Sequence, residues 1–216
     1  MFDLSVVLGY RGELLHGLWM TGWISALAIV LGFGIGVLAG VARVSGHPVA
    51  RAVASFYISA LRGTPLLVQL AVIFFMLPLI GINLPALPAA ILALALNSGA
   101  SQAEILRGGF ETLPRGQTEA AWDIGLDRWQ ILLHVQLPQV VRATIPALVN
   151  ETIDIIKNSS LISTIAVTEL MRIAHTYSST TYRPLEFFTA AGLLYLLLTL
   201  SVSHGGKYLE KRLSTR

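Results

Sequence analysis

The chain has 216 residues, of which 54% are hydrophobic and only 12% charged, and its mean hydropathy is +0.69. Soluble domains carry roughly 25% charged residues, so this composition indicates an integral membrane protein and excludes an ordinary soluble one. The lack of cysteine excludes disulfides, thiolate metal sites and a cysteine nucleophile. The five scattered histidines suggest no metal site. Because no linker, low-complexity tract or repeat divides the chain, we expect residues 1–216 to form a single transmembrane domain.

The uncharged stretches predict an all-α fold with about five transmembrane helices. In chain order the predicted spans are 17–42, 52–79, 87–106, a fourth that begins near Pro138, and 187–206. The first has 26 residues without a formal charge, enough to cross a hydrocarbon core of about 30 Å. The second and third are separated by PLIGINLPALP (78–88), whose prolines, glycine and asparagine predict a turn. Pro138 suits the first turn of a helix.

The second predicted span is interrupted near its start by RGTP (62–65). A glycine followed closely by a proline predicts a bend in the helix, because proline removes a backbone donor and clashes with the preceding turn. We expect this bend to be structural. Arg62 is expected to extend toward the cytoplasmic headgroups.

The basic residues predict the orientation, because cytoplasmic segments of membrane proteins are rich in lysine and arginine. With the N-terminus outside, ten basic residues fall in cytoplasmic segments and three in outer ones, when Arg62 and Lys157 inside the spans are not counted. The cytoplasmic set is Arg43, Arg51, Arg107, Arg115, Arg128, Arg142, Lys207, Lys211, Arg212 and Arg216, and the outer set is Arg11, Arg172 and Arg183. We therefore expect a cytoplasmic C-terminus. These flanks explain the net charge of +3 without a nucleic-acid partner.

The first span contains the glycine-rich stretch GFGIGVLAG, in which Gly34, Gly36 and Ala39 imitate a dinucleotide-binding fingerprint. That fingerprint needs a preceding strand and a soluble βαβ unit, neither of which is compatible with a continuous membrane span. Gly32, Gly36 and Gly40 are four residues apart and share one helix face. Small residues on one face allow another helix to approach closely, so we predict helix packing here.

The segment 107–138, between the third and fourth spans, is predicted to form a cytoplasmic pair of short helices. Thr118 is the expected N-cap of the first, and Gly125 follows its end. Asp127 and Gln130 have the spacing of a capping box at the start of a second helix, which ends at the fourth span. The residues alone leave two alternatives: an interfacial hairpin without a partner, or a helix that docks in a groove of another protein.

The stretch EAAWDIGLDRWQILLHVQLP in this segment resembles the cytoplasmic loop of importer-type ABC transporter permeases. The residues that match the family pattern are Glu119, Ala120, Ala121, Gly125, Leu137 and Pro138, with Val135 in place of the usual isoleucine. The stretches RGTPLLVQL, NSGASQAEILRGG, RGQTEAAW and KNSSLISTIAVTEL are similar to the polar amino acid permease subfamily, although KNSS departs from its usual Lys-Asp-Thr-Ser-like run. The resemblance covers most of the chain.

The resemblance implies a permease subunit of an ATP-driven importer in the bacterial cytoplasmic (inner) membrane. The first short helix would be the coupling helix, with Glu119, Ala120, Ala121 and Gly125 contributing to contact with a cytoplasmic ABC ATPase dimer. Further expected partners are a second permease chain, identical or paralogous, an extracytoplasmic substrate-binding protein and the lipid bilayer. The sequence has no GxxxxGK[ST] phosphate loop. We therefore expect ATP and Mg²⁺ to bind to the partner ATPase, and this chain not to be an enzyme.

The stretch ALVNETIDIIKNSSLISTIAV (147–167) carries three charges inside a predicted span. Glu151, Asp154 and Lys157 are three residues apart and form a line along one helix face. In the structural interpretation, Lys157 pairs with Asp154 or a lipid headgroup and Glu151 bonds to another helix. In the functional one, the two acids line a midplane cavity and bind the ammonium group or cationic side chain of a small polar amino acid. The excess of acids over lysine favours a basic substrate.

Three uncharged polar residues join the predicted substrate site. Asn150 precedes Glu151 and can both donate and accept hydrogen bonds. Asn97 and Ser101 are four apart and therefore on one face of the third span, where packing between helices is an equally good explanation. The subfamily resemblance places a substrate cavity around the third and fourth spans, which favours Glu151 and Asn97.

Two other classes of protein remain open. An ion- or proton-coupled secondary transporter would use Glu151 and Asp154 as ion sites, although no inverted repeat is visible. A membrane scaffold would use the 107–138 segment to recruit a protein, but it would not need the line of charges.

Overall fold

The regular elements of this computed structural model, which describes residues 5–44 and 47–214, are all helical. The α-helices are α1 (Ser5–Leu8), α2 (Arg11–Val44), α3 (Pro48–Gly63), α4 (Leu66–Ala71), α5 (Ala86–Glu111), α6 (Arg115–Asp123), α7 (Arg128–Gln130), α8 (Leu137–Asn158), α9 (Leu170–Thr181) and α10 (Pro184–Ser214). Two π-helical segments, Val72–Met76 and Ile131–Gln136, and two 3₁₀ segments, Leu77–Ile80 and Ser159–Ile165, extend these helices.

Four helices in the described part of the chain are long and apolar enough to cross a membrane. They are Arg11–Arg43, Ala86–Glu111, Arg128–Ile165 and Pro184–Arg212. A fifth crossing is present if the helices Pro48–Gly63 and Leu66–Ile80 together count as one span. The all-α membrane fold predicted from the sequence is therefore confirmed. The fifth span is the strongly bent one.

The helices α3 and α4 meet at an angle of 109°. Thr64, between them, has extended backbone angles of φ −122° and ψ 145° because the residue before a proline is driven away from the helical conformation. Pro65 then supplies the N-cap position of α4 without a backbone donor. The predicted bend is confirmed, but it is so sharp that 52–79 is not one straight helix.

The centre of the molecule is the contact between α2 and α5, where small residues allow close approach. A Cβ on Gly32 would lie 3.0 Å from the Ala95 carbonyl oxygen, and one on Gly36 would lie 3.0 Å from the Gly99 carbonyl oxygen. The predicted role of these two glycines in helix packing is confirmed. The prediction is wrong for Gly40, because a Cβ there would meet no atom within 4 Å.

The predicted start of an α-helix near Pro138 is confirmed, but the prediction that the helix before it is separate from the fourth span is wrong. The α-helical part of α8 does begin at Leu137 with Pro138 in its first turn. However, α7 and the π-helical segment Ile131–Gln136 run into it without a break, so that one helix extends from Arg128 to Ile165. Since α5 also continues to Glu111, the connection outside the long helices is only 112–127.

The two short helices of this connection have the predicted order, with one corrected end. Gly125 adopts φ +83° just after α6, as expected for a C′ glycine. Asp127 and Gln130 form the predicted capping box at the start of α7. The prediction of Thr118 as N-cap is wrong: α6 begins at Arg115, and its N-cap position is Pro114. Proline favours a helix start at this point because its fixed backbone angle suits it.

Candidate functional site

The half-buried Glu151 of α8 faces α5. Its carboxyl group lies near the Ser98 and Ser101 hydroxyls of α5 and interacts electrostatically with both. Ser98 is fully buried, and its oxygen accepts a hydrogen bond of 2.8 Å from Gln102 Nε2. Because that oxygen already accepts, the hydroxyl hydrogen of Ser98 is available to donate to Glu151. The packing of α5 on α8 thus brings one carboxyl and two hydroxyls together.

The helices can approach closely here because Gly109 of α5 lies against α8. A Cβ at Gly109 would be 2.5 Å from Thr144 Cγ2 and 2.8 Å from Val140 Cγ1. The glycine therefore allows close contact between α5 and α8 two helical turns from Ser101. The sequence contains Gly109, but nothing in its local pattern identifies the partner residues on α8.

The charges around Glu151 balance. Lys157 Nζ lies 2.6 Å from Asp154 Oδ1, and each of these side chains is 57% exposed. Arg62, at the end of α3, and Asp154 both lie within electrostatic range of Glu151. The four side chains carry two negative and two positive charges. The excess of acid expected from the sequence is thus reduced, since Arg62 of α3 lies within electrostatic range of Glu151 while it is 4.0 Å from Glu104.

The other predicted substrate residues have different surroundings. Asn97 Nδ2 donates to Gln69 Oε1 at 3.2 Å, so part of its hydrogen-bonding capacity is directed to α4. Asn150 is exposed on α8. Ser101 is half-buried. Of these three residues, Ser101 is therefore the one that interacts with the carboxyl group of Glu151.

A second charged cluster, which sequence reasoning missed, surrounds Glu104 of α5. The Glu104 carboxylate lies 2.7 Å from Arg43 of α2, 2.6 Å from Arg107 and 4.0 Å from Arg62. The spacing of three residues between Glu104 and Arg107 could have suggested one of these pairs. Arg43 is 61 positions away, so no local pattern predicts that it contacts Glu104.

Sequence reasoning also missed Glu169, a fully buried carboxyl at the start of α9. Its oxygens accept hydrogen bonds from the Tyr195 hydroxyl at 2.6 Å, from the backbone N–H groups of Met171 at 2.8 Å and Arg172 at 2.6 Å, and from the Thr21 hydroxyl at 3.4 Å. Burial nevertheless raises the pKa of the Glu169 carboxyl above its usual range. The residue joins α2, α9 and α10. A Glu directly before the apolar pair Leu170–Met171 was its sequence signal.

The helix α6 presents an exposed surface between two spans. Glu119 and Ala120 are exposed, as are the apolar side chains of Trp122 and Ile124, the latter 77%. Ala121 is buried and packs α6 against the rest of the chain. Of the predicted coupling residues, Glu119 and Ala120 are therefore exposed and could contact a partner, whereas Ala121 packs against the rest of this chain.

A hydrogen bond connects α6 to the long helix that continues into α8. Gln136 Nε2 donates to Thr118 Oγ1 at 3.0 Å. Gln136 is the last residue of the π-helical segment Ile131–Gln136. Segments of this kind inside α-helices often occur at functional sites.

The described part of the chain thus combines several apolar helices, a polar face between two of them and an exposed helical connection. Residues 32–215 match the family described as the inner membrane component of binding-protein-dependent transport systems. The chain belongs to this family and is by family a permease subunit, not itself a catalytic enzyme.

Relatives of known name match nearly the whole chain. The chain is 38% identical over 214 residues to the glutamine transport system permease protein GlnP of Escherichia coli (strain K12), and the match covers 98% of each protein. It is 34% identical over 214 residues to the arginine transport system permease protein ArtQ of Bacillus subtilis (strain 168), over 99% of this chain and 98% of that protein.

Solved structures have the same fold. A chain in the crystal structure of an amino acid ABC transporter with histidines aligns with a TM-score of 0.91 and 36% identity, over 98% of this chain and 99% of that one. A chain of the MetNI methionine ABC transporter in an inward-facing conformation aligns with a TM-score of 0.80 at 22% identity, over 93% of this chain and 96% of that one.

Proposed function

We propose that this chain is one of two permease chains of an ATP-driven importer for polar amino acids in the bacterial inner membrane. Residues 1–216 form its single transmembrane domain, with the N-terminus outside and the C-terminus in the cytoplasm. The amino acid specificities named for the relatives and the end-to-end match with an amino acid transporter chain support this class of substrate. The orientation is supported by the excess of basic residues on the proposed cytoplasmic side.

The observation that carries the proposal is the exposed surface of α6. Trp122 and Ile124 expose 52% and 77% of their area beside the exposed Glu119. Exposed apolar groups with a charged neighbour are typical of a surface that contacts another protein. In this family pattern the helix contacts a cytoplasmic ATPase dimer, which would bind ATP and Mg²⁺.

The polar face between α5 and α8 is the proposed substrate site. Glu151 would accept hydrogen bonds from the substrate ammonium group, with Asn97, Ser101, Asn150 and Asp154 as the further predicted contacts. Lys157 pairs with Asp154, and Arg62 lies within electrostatic range of Glu151 as well as 4.0 Å from Glu104, so little excess negative charge remains to select a cationic substrate. We therefore expect a neutral polar amino acid such as glutamine to be preferred over a cationic one such as arginine.

The continuous helix Arg128–Ile165 offers a route from ATP hydrolysis to this site. ATP-driven closure of the ATPase pair would move α6, which contacts the helix at Gln136. Gln136 and Glu151 are about 22 Å apart along one helix at 1.5 Å per residue. A tilt of this helix would move the carboxyl and open the site toward an external substrate-binding protein.

The first experiment is to purify the tagged chain from its native membranes in mild detergent, beside a Glu119→Lys variant. We expect an ABC ATPase to co-purify with the parent chain and to be lost from the variant, because the substitution reverses the charge on the α6 surface. The matched control is Glu210→Lys, which changes an exposed carboxylate on α10. No ATPase with an intact parent chain would contradict the importer proposal.

Uptake by the purified complex in proteoliposomes separates the remaining alternatives. An importer takes up radiolabelled glutamine only with ATP and the binding protein. Uptake that persists without ATP and collapses with an uncoupler would instead identify a secondary transporter with Glu151 and Asp154 as ion sites. No uptake under either condition, with the ATPase bound, would favour a scaffold.

A further inference from the structure

Gln69, on α4, is a buried side chain whose amide makes four hydrogen-bonding contacts with three other residues. It is 8% exposed, although it lies only four residues after Pro65 at the bend. Its Nε2 lies 2.7 Å from the Leu61 carbonyl oxygen, 2.9 Å from the Thr64 carbonyl oxygen and 3.0 Å from Thr64 Oγ1. Its Oε1 lies 3.2 Å from Asn97 Nδ2. One amide thus contacts the last turn of α3, the bend and α5.

The backbone determines which way this amide points. Carbonyl oxygens can only accept hydrogen bonds, so the nitrogen of Gln69 must face Leu61 and Thr64. Its oxygen must then face Asn97, and it can only accept. Asn97 is consequently required to turn its own nitrogen toward Gln69. The bend therefore determines the orientation of a side chain on a different helix.

Asn97 is left with its oxygen as the atom available to a ligand. Oδ1 of Asn97 has no donor among the described residues, and it is not among their buried side-chain atoms that lack a partner. Asn97 is one helical turn before Ser101, which lies beside Glu151. An amide oxygen and a carboxylate on neighbouring helices both accept hydrogen bonds, which suits a group with several N–H donors, such as the ammonium of an amino acid.

We propose that Gln69 is a positioning residue for substrate binding: it connects the α3–α4 bend to Asn97 and fixes the Asn97 oxygen as an acceptor for the substrate ammonium group. The inference rests on the proposed function, since it assumes that an amino acid binds between α5 and α8. It also makes substrate affinity depend on the bend, because any movement of Leu61 or Thr64 changes the partners of Gln69.

The test measures binding of radiolabelled glutamine and arginine to the purified permease–ATPase complex by equilibrium dialysis, without the binding protein. The variants are Gln69→Met, Asn97→Leu and the double variant. A milder variant is Gln69→Asn, which keeps an amide that is too short to reach both the bend and Asn97. Its substrate binding is measured as well, in case Gln69→Met prevents assembly of the complex. Gln139→Met is the control, because among the described residues Gln139 Nε2 donates only to the Val135 carbonyl oxygen in its own helix, at 2.7 Å.

We expect Gln69→Met to weaken binding of the preferred amino acid about tenfold, as for the loss of one oriented hydrogen bond to a charged group. If Gln69 acts through Asn97, the double variant should bind no more weakly than Asn97→Leu alone. Gln139→Met should bind as the parent does, and ATPase co-purification should be unchanged in every variant.

Three results would overturn the inference: unchanged binding in an assembled Gln69 variant, additive losses in the double variant, or an equal loss in Gln139→Met. A parent complex that binds neither amino acid and shows no ATP-driven uptake would instead reject the proposed function. The two failures are therefore distinguishable.

Discussion

At the scale of single residues, Glu151 is the side chain on which the proposed transport depends most. Glu151 is half-buried near two hydroxyls, and placing a carboxyl inside a membrane protein costs free energy. Such residues therefore usually pair with another group or serve a function. Asp154, by contrast, is exposed and paired with Lys157. The two acids therefore differ in their surroundings although they share a helix face.

We predict that Glu151→Gln lowers the apparent affinity for substrate in the uptake assay at least about tenfold, because a hydrogen bond to a charged group contributes about 1.5–3 kcal/mol. Assembly with the ATPase should be unchanged. Asp154→Asn is the matched control and should have a smaller effect. Equal uptake by Glu151→Gln and the parent would leave the carboxyl with a packing role only.

Glu169 is a residue whose contribution is to stability. Glu169→Gln replaces one accepting oxygen by an amide nitrogen, which would face backbone or Tyr195 donors. We predict a destabilisation of about 1–3 kcal/mol, the usual cost of leaving a buried partner unsatisfied. Thermal unfolding in detergent measures it, with the exposed Glu210→Gln as control. Equal melting temperatures for the two variants would mean that the buried hydrogen bonds contribute little.

At the scale of helices, the contact between α2 and α5 depends on glycines that local patterns only partly identify. We predict that Gly36→Ala destabilises the fold by about 1–3 kcal/mol, as overpacking does, because its Cβ would lie 3.0 Å from the Gly99 carbonyl oxygen. Gly40→Ala, on the same helix with nothing within 4 Å, should be neutral or slightly stabilising. Thermal unfolding of both variants provides the comparison, and a similar loss in each would contradict close approach at Gly36 as the cause.

The hydrogen bond between Gln136 and Thr118 is the element-scale feature that relates α6 to the long helix. We predict that Thr118→Val, which removes the acceptor at nearly constant volume, reduces the amount of substrate imported per ATP hydrolysed several-fold, roughly the effect of one lost hydrogen bond. Thr118→Ser keeps the hydroxyl and should restore the ratio. Parallel uptake and phosphate-release assays measure it; an unchanged ratio in Thr118→Val would exclude this contact from coupling.

At the scale of the whole molecule, Glu104 joins three helices that are distant in sequence. Its carboxylate is the shared partner of Arg43, Arg107 and Arg62. We predict that Glu104→Gln lowers the melting temperature of the complex, because three arginines then repel one another without a counter-charge, at a cost of about 1–3 kcal/mol.

The repulsion among these arginines should be screened by salt, so the difference from the parent should shrink as ionic strength rises. Glu111→Gln is the control, because Glu111 is 65% exposed and pairs with Arg107 alone. If Glu111→Gln had the same effect as Glu104→Gln, the shared position of Glu104 between helices would not matter.

The parts of the molecule that the sequence predicted are those set by neighbours along the chain. The apolar spans, the bend at RGTP, the αL glycine after α6 and the Asp127–Gln130 capping box each follow from residues a few positions apart. The N-cap of α6 was predicted wrongly because threonine is a good cap, whereas Pro114 begins the helix one turn earlier.

The candidate site was predicted only in part, because many of its contacts join residues that are not neighbours along the chain. The spacing of charges on α8 identified Glu151, but Arg62 is far from it in the chain, and only the folded structure brings the two within electrostatic range. Likewise, the local pattern placed Asn97 on the same face as Ser101, and the tertiary structure revealed that its amide is turned by Gln69.

The sequence by itself determined that this is a helical membrane permease with an exposed connection for a partner, because hydropathy, caps and the EAA-type pattern are local properties. Only the tertiary structure decided which polar groups face one another between α5 and α8, and that Glu104 and Glu169 each join three helices. Those features depend on contacts between residues far apart in the chain, and such contacts leave no periodic trace in the sequence.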